Sequence, residues 1–313
     1  MSIQFLVTNN IDHKLYDITN LIIKITWTDV LNNGCSKLDF SYIEGYTEIG
    51  NGSVIQFIYD NKVLFQGFVF KTRRNSKKEI QVTAYDQLRY LKTKDSIVIK
   101  DMTLGALIKN TCKYFNLKWG YISDTKYKLF PSVHTDKTWL DIFYSSVQDT
   151  LLATGEKYCI RDEAGHIALR NLKELNLPLV IGNSSLCYDY DYERSIDEKT
   201  YNLVVLLKKD EREPIIAKDE ESFKRYGILQ YFRSVDQNAN NAQLQEKAKE
   251  MLRVHNKETE TLQLKCMGDI RVRAGNRIFA SLGDLSMNKR LVVDKVTHNF
   301  KEGSHTMDLE LIL

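Results

Sequence analysis

The strongest acidic cluster of the chain is Tyr188-Asp189-Tyr190-Asp191-Tyr192-Glu193. Two of its carboxylates could serve a glycosidase as acid and nucleophile, or act as oxygen ligands for calcium. Strict alternation, however, places Asp189, Asp191 and Glu193 on one face of a strand and the three tyrosines on the other. Adjacent like charges on a strand prefer solvent, and no loop glycine shapes a calcium cage, so the pattern favours one wet face and one aromatic face packed inward. His298, His305 and Asp308 lie across the last hairpin and could meet at a metal. Their number and spacing match no closed zinc site, and a polar pair within the hairpin is the simpler reading. His13, His134, His166 and His255 are isolated at turns and helix ends, where single histidines are structural or solvated. Nucleophile elbows, H-E-x-x-H, phosphate loops and G-x-G-x-x-G are absent. The sequence therefore assigns no catalytic residue, no cofactor-binding residue and no metal ligand, and the expectation is that the chain is not an enzyme.

Composition narrows the partners. The chain has 313 residues, enough for two or three domains of about 100–200 residues. With 44 basic against 41 acidic residues the net charge is +3, so no polybasic field points to nucleic acid or an anionic membrane. Sequence-specific nucleic-acid binding is not expected. Cys35, Cys112, Cys159, Cys187 and Cys266 are scattered and odd in number, which fits buried free thiols in a chain assembled in a reducing cytoplasm. The N-terminus lacks a basic region followed by an apolar core, and no run of about 18 apolar residues occurs. Neither a signal peptide nor membrane insertion is expected, and release from a cell would be by lysis.

The elements that must position these side chains are mostly short strands. Leu21–Trp27, Lys37–Tyr42 and Val54–Tyr59 alternate, and regular strand spacing to about residue 95 suggests a barrel or sandwich. From Asp101 the period becomes helical: Thr103 is a candidate N-cap, and a second helix opens at Thr138-Trp139-Leu140-Asp141 and stops at Gly155. A small hairpin turns at Asp162–Gly165, so residues 96–175 read as an α/β insertion. Beyond Pro178, Leu203–Leu207 and Pro214–Ala217 flank a charged turn at Lys208–Glu213, and Asp219 could cap a short helix ending at Gly227. Asn240-Asn241-Ala242-Gln243 starts a helix over about 240–256, with Leu244, Ala248, Met251, Leu252 and His255 on its inward stripe. The predicted class is α+β, mainly β: an N-terminal barrel-like domain (1–95), the insertion (96–175) and a C-terminal barrel-like domain (176–313).

The last strands repeat the first. Gly50-Asn51, Val63–Phe65, Lys71 and Asn75 have counterparts in Gly275-Asn276, Leu291–Val293, Lys295 and Asn299 at a near-constant offset. A duplication over Gly50–Tyr85 and Gly275–Leu311 predicts matching strand order, with Phe65 and Val293 in equivalent cores. Two similar barrels per chain would let three chains present six similar units to a sixfold partner.

Residues 63–95 carry the decisive pattern. Val63, Phe65, Gly67 and Val69 alternate with Leu64, Gln66, Phe68 and Phe70, the basic turn RRNSKK follows, and Ile80, Val82 and Ala84 lead into Thr83–Leu91, which closes in a short helix. With Gly155–Tyr158, Asp162–Ile167, Thr200–Val204, Ala217–Asp219, Ser222, Tyr226-Gly227, Leu229-Gln230, Gly268–Gly275 and His305–Leu309, this stretch resembles the XkdQ/YqbQ-like family of Gram-positive bacteria and their phages. The resemblance covers roughly residues 50–313.

That family comprises baseplate hub proteins of contractile phage tails. The resemblance implies a structural central hub of a phage tail or tailocin baseplate: a homotrimer joining the sixfold tail tube to the threefold spike around a channel for tape measure and DNA. Its implied partners are the tube or tube-initiator protein, the spike, baseplate wedge proteins and the tape measure, and its implied location is the virion or tailocin particle. The alternatives are a tail-associated peptidoglycan hydrolase, resting on the acidic strand, and a cell-wall binding module. The resemblance reaches the last residue, which leaves no room for an appended enzyme domain.

Overall fold

In the computed structural model, which describes residues 2–45, 48–76, 78–197, 199–209, 213–235, 240–301 and 303–313, the opening alternating segments become seven strands. These are β1 (Ile3–Thr8), β2 (Leu15–Asp17), β3 (Ile22–Val30), β4 (Lys37–Ile43), β5 (Val54–Tyr59), β6 (Lys62–Arg74) and β7 (Glu79–Tyr85). They are bonded in the order β3-β4-β7-β6-β5-β1-β2. Period-two alternation sends Phe5, Trp27, Phe40, Phe57, Phe65 and Val82 into one core. The basic turn joins β6 to β7, with Lys77 outside the described residues.

The insertion comprises β8 (Lys94–Ile99), α1 (Leu104–Tyr114), β9 (Trp119–Ile122), β10 (Ser132–Thr138), α2 (Trp139–Thr154), β11 (Tyr158–Asp162) and β12 (Ile167–Asn171). Both helices start where side chains replace the missing intrahelical acceptors. Thr103 Oγ1 accepts from Ala106 N–H at 3.2 Å, and Thr138 and Asp141 cap each other reciprocally. Gly155 ends α2 at φ 72°. The helices bury Leu107, Ile108, Ile142 and Phe143 against Ile160 and Leu169.

The C-terminal half begins with β13 (Asn176–Gly182) and β14 (Cys187–Ser195). Next come β15 (Leu203–Lys208), β16 (Ile215–Lys218), α3 (Glu220–Tyr226), β17 (Gln230–Val235) and α4 (Asn241–His255). These strands form a sheet of their own, ordered β16-β15-β17, packed on α4 through Val204, Leu206, Leu244, Ala248 and Met251. The charged turn between β15 and β16 has residues 210–212 outside the described residues. The half is completed by β18 (Thr259–Met267), β19 (Arg277–Leu282), β20 (Met287–Lys301) and β21 (Ser304–Ile312). β14 bonds directly to β18, so the intervening unit loops out of the main sheet.

The two halves share strand order: β3-β4-β7-β6-β5 in the first is β14-β18-β21-β20-β19 in the second. Each middle strand, β6 or β20, is long and changes partner along its length, from β5 to β7 or from β19 to β21. Each register breaks at an equivalent bulge, Val69–Lys71 or Val293–Lys295. A second bulge matches as well, where β3 meets β4 at Ile22–Lys24 and β14 meets β18 at Cys187–Asp189. Each middle strand is latched by the same turn. Gly52 N–H bonds Val69 O at 2.7 Å and Val69 N–H bonds Ser53 O at 2.9 Å, while Gly275 N–H bonds Val293 O at 2.8 Å and Val293 N–H bonds Asn276 O at 2.9 Å. Gly52 and Gly275 both need positive φ, 90° and 86°.

This geometry corrects the residue pairing expected from the sequence. Val69, not Phe65, is the counterpart of Val293, and Gly52-Ser53, not Gly50-Asn51, matches Gly275-Asn276. The Gly-Asn dipeptide recurs at different positions of one turn, and hydrogen bonding, not residue letters, sets the equivalence. The strand next to this shared set is not duplicated, since β1 runs antiparallel to β5 whereas β13 runs parallel to β19. Among the described residues neither half closes into a barrel. Instead β3 pairs with the far end of β20 and fuses both halves into one 13-stranded sheet.

Candidate functional site at the seam between the two halves

The inward face of β3 carries Ile25, Trp27 and then Asp29, which is only 2% exposed. A buried carboxylate on a core-facing strand position must be paired. Its partner is Arg273, from the turn that latches β20. Arg273 Nε donates to Asp29 Oδ2 at 2.8 Å, and Ala274 N–H reaches the same oxygen at 3.3 Å. Arg273 Nη1 also donates to the Asp162 carbonyl at 2.9 Å, and its guanidinium lies 5.2 Å from the Trp27 ring centroid. One side chain from the second half thus joins the first half and the insertion.

The insertion returns the grip. Arg161 donates to Ala274 O at 3.3 Å, and Glu163 binds both Arg161 and Arg170 at 2.7 Å. Burial opposes ionisation of Glu163, but the Arg170 hydrogen bond and the charge of Arg161 prevail and hold its pKa at about 2. Asp86 accepts from Ser36 N–H at 2.9 Å and Leu88 N–H at 3.0 Å, and Asp162 accepts from Gly165 N–H at 2.6 Å and Gln87 Nε2 at 3.0 Å. Burial, then the charge of Asp162, pushes Asp86 well above the usual carboxylate range; burial also raises Asp162. Asn32, in the β3–β4 turn, clamps β11 by donating to Tyr158 O at 2.8 Å and accepting from Ile160 N–H at 2.9 Å.

Beneath Trp27 sits a neutral histidine pair. Val272 O can only accept, so the proton of His298 lies on Nε2 (2.9 Å), leaving Nδ1 to accept from His305 Nε2 at 3.0 Å. His298 stacks on Trp27 with centroids 5.1 Å apart, and His305 lies flat on Phe300 at 4.1 Å. Burial lowers both histidines to about 4. Gly268 packs against His305 so closely that an added Cβ would fall 2.2 Å from the ring.

On the opposite, wet face the seam is invisible. A cross-strand row runs Asp189, Lys265, Asp308, Thr297, Thr28, Lys37, passing from the second half into the first without interruption. Lys265 pairs with Asp189 at 2.7 Å and Thr28 Oγ1 lies 3.4 Å from Thr297 Oγ1, so the row is laced by side-chain contacts.

A family model described as YqbQ-like matches residues 25–312, from within β3 to the end of β21. The chain belongs to the YqbQ-like family. It is 28% identical over 271 residues to protein YqbQ of Bacillus subtilis (strain 168), covering 85% of this chain and 83% of that one. It is likewise 28% identical over 273 residues to the phage-like element PBSX protein XkdQ of the same organism, with the same shares of 85% and 83%. Its fold is similar to that of a tail protein from Neisseria meningitidis MC58, with a TM-score of 0.73 at 13% identity over 100% of this chain and 97% of that one.

In this YqbQ-like chain the acidic strand is realised as a solvated edge. Asp189, Asp191 and Glu193 are exposed, Tyr190 and Tyr192 half-buried against the second core, and Tyr188 is expelled by the bulge. His298 and His305 come together, but Asp308 does not join them. It faces a residue of opposite parity, Thr297, and accepts from Asn299 Nδ2 at 3.1 Å on the wet side. Among the described residues no cluster of three metal-ligating side chains occurs. His134 lies 3.1 Å from Ser132 Oγ, and His255 Nδ1 lies 3.2 Å from Lys199 O. Sequence reasoning missed Asp29, Arg161, Glu163 and Arg273 as one unit. A charged residue at an inward β3 position was the available signal, and Asp86, Asp162, Gly268, Arg273 and His305 all sit inside the landmark segments quoted above.

Proposed function

We propose that this chain is a structural tail protein: the homotrimeric central hub of a contractile phage tail or tailocin baseplate, joining a sixfold tube to a threefold spike. The observation that carries the reading is two halves of matching strand order, locked by the seam into one continuous sheet. Three such chains offer six similar units, and a rigid seam keeps each pair at a fixed angle. The names of the relatives support a tail role, since one is a protein of a phage-like element and the fold neighbour is a tail protein. The tube or tube-initiator protein, spike, wedge proteins and tape measure would be its partners, and the assembled particle its location. Native mass spectrometry of the full chain and imaging of baseplates tests it. Three copies per baseplate are expected, and one or six would overturn it.

A further inference from the structure

We infer that Cys187 and Cys266 are the two halves of a latent cross-strand disulfide, which closes on contact with a peroxide and pins β14 to β18. The inference stands apart from the tail reading, since it concerns a bond within one chain.

The ladder brings the two sulfurs together. Cys187 and Cys266 lie directly opposite one another where β14 runs antiparallel to β18. One step along, Met267 N–H donates to Leu186 O at 2.9 Å, which marks Leu186 and Met267 as a hydrogen-bonded pair. Pair types alternate along an antiparallel ladder, so Cys187 and Cys266 occupy the narrow, non-hydrogen-bonded kind, with Cα atoms about 4.5 Å apart. A disulfide bridges Cα separations of roughly 4.4–6.8 Å, so the strands already stand at bonding distance. Opposed side chains share a face, here the one turned into the second core, where Cys187 is 8% and Cys266 0% exposed. The thiols are within hydrogen-bonding reach of each other, and Cys187 Sγ also donates to Asp189 O at 3.3 Å across the bulge.

The shared frame of the two halves does not call for sulfur at this place. The equivalent bulge of the first half sets Ile22 opposite Tyr42. The other three cysteines sit on separate elements: Cys35 precedes β4, Cys112 lies in α1, and Cys159 stands opposite Arg170 in β11. Position also gives the bond a consequence. β14 ends the main sheet, and the chain leaves it for the β15–α4 unit before returning as β18. A covalent link across that excursion restricts the unfolded chain and holds an end strand that the ladder grips from one side.

The chemistry balances with a peroxide as oxidant. The Cys187 sulfur attacks one peroxide oxygen: an S–O bond forms, the O–O bond breaks, and the thiol proton leaves with the released oxygen as water. The Cys266 sulfur then attacks the Cys187 sulfenic acid: the S–S bond forms, the S–O bond breaks, and the hydroxyl leaves with the Cys266 proton as a second water. The thiols lose two electrons and the peroxide gains them. Burial holds both thiols above their ordinary pKa, so thiolate is scarce and the step is slow, with the less enclosed Cys187 reacting first.

Peptide mapping of the full chain tests the bond. Protein purified in dithiothreitol and freed of it is treated with hydrogen peroxide, unfolded in N-ethylmaleimide to block remaining thiols, and digested with trypsin without reduction. Peptides 174–194 and 266–271 should be recovered joined, two hydrogens lighter than their sum, with Cys35, Cys112 and Cys159 carrying maleimide. Thermal unfolding gives a second measurement. The oxidised chain should melt about 5–10 °C above the reduced one, and dithiothreitol should remove the difference. Cys187→Ala should melt at one temperature before and after peroxide, whatever its own stability.

The two peptides recovered separately, each carrying maleimide, would overturn the inference, as would a sulfinic acid on Cys187 beside an unreacted Cys266. A link joining other cysteines overturns the pairing. A 187–266 link with no rise in melting temperature overturns the pinning of β14 and leaves the bond standing.

Discussion

The turns Gly50–Ser53 and Arg273–Asn276 hold equivalent places and do different work. Each latches a long middle strand through the same two backbone bonds. The first closes locally: Ser53 Oγ accepts from Asn10 N–H at 3.1 Å, and Asn10 Nδ2 donates to Asn51 O at 2.5 Å. The second begins with Arg273 where the first has Gly50, and that side chain crosses the seam to Asp29. The two turns share one frame; arginine at the position where the first turn has glycine makes the second a clamp. The counterpart of Asp29 on β14 is Arg194, which pairs with Glu258 on the surface instead. The buried ion pair is therefore a property of the seam, not of the repeated unit.

The largest effect should come from breaking that asymmetry. Arg273→Met leaves Asp29 buried without its counter-ion and should cost about 3–5 kcal/mol in denaturant unfolding. Replacing both, Asp29→Leu with Arg273→Met, should recover much of the loss, because the desolvation cost of both charges disappears. A double variant no better than the sum of the single ones would show that the two charges are not energetically coupled.

Shared positions should behave alike. Val69 and Val293 are both buried, in separate cores, and truncating either to Ala should cost about 2 kcal/mol, with the double variant additive. Costs differing severalfold would mean that the matched latches serve unlike packing.

Acid sharpens the comparison through the buried histidine pair at the seam. His298 and His305 have folded values of about 4 against about 6.5 unfolded, so the unfolded state binds protons first as pH falls. Their contribution is full above about 6.5 and is lost between there and about 4, by at most about 1.4 kcal/mol per pH unit for each histidine. Glu163 acts lower, its stabilisation being lost between its ordinary 4.5 and about 2. Asp86 and Asp162, raised by burial, work in the opposite sense, since the folded state takes up their protons first. Unfolding measured from pH 7 to 4 should lose slope in His305→Gln. An unchanged slope would mean that the pair does not titrate with folding.

Much of this molecule was legible in its sequence because the signals are local. Thr103, Thr138, Asp219 and Asn240 cap the helices they precede, since a short polar side chain before a helical period satisfies N–H groups only two or three residues away. Alternation likewise marked Asp189, Asp191 and Glu193 of β14 as wet, although the bulge turns Tyr188 outward as well. The candidate site was not legible, because its partners are distant in the chain: Asp29 and Arg273 are 244 residues apart. Which residue of one half matches which of the other was also undecided. A bulge shifts side-chain parity by one, and no residue letter records it. Sequence determined the strongly alternating strands, the helix caps and the likeness of the two halves in outline. Only tertiary structure decided that β3 is spent on β20 while β14 stays open, since edge pairing depends on which strands the folded chain brings side by side.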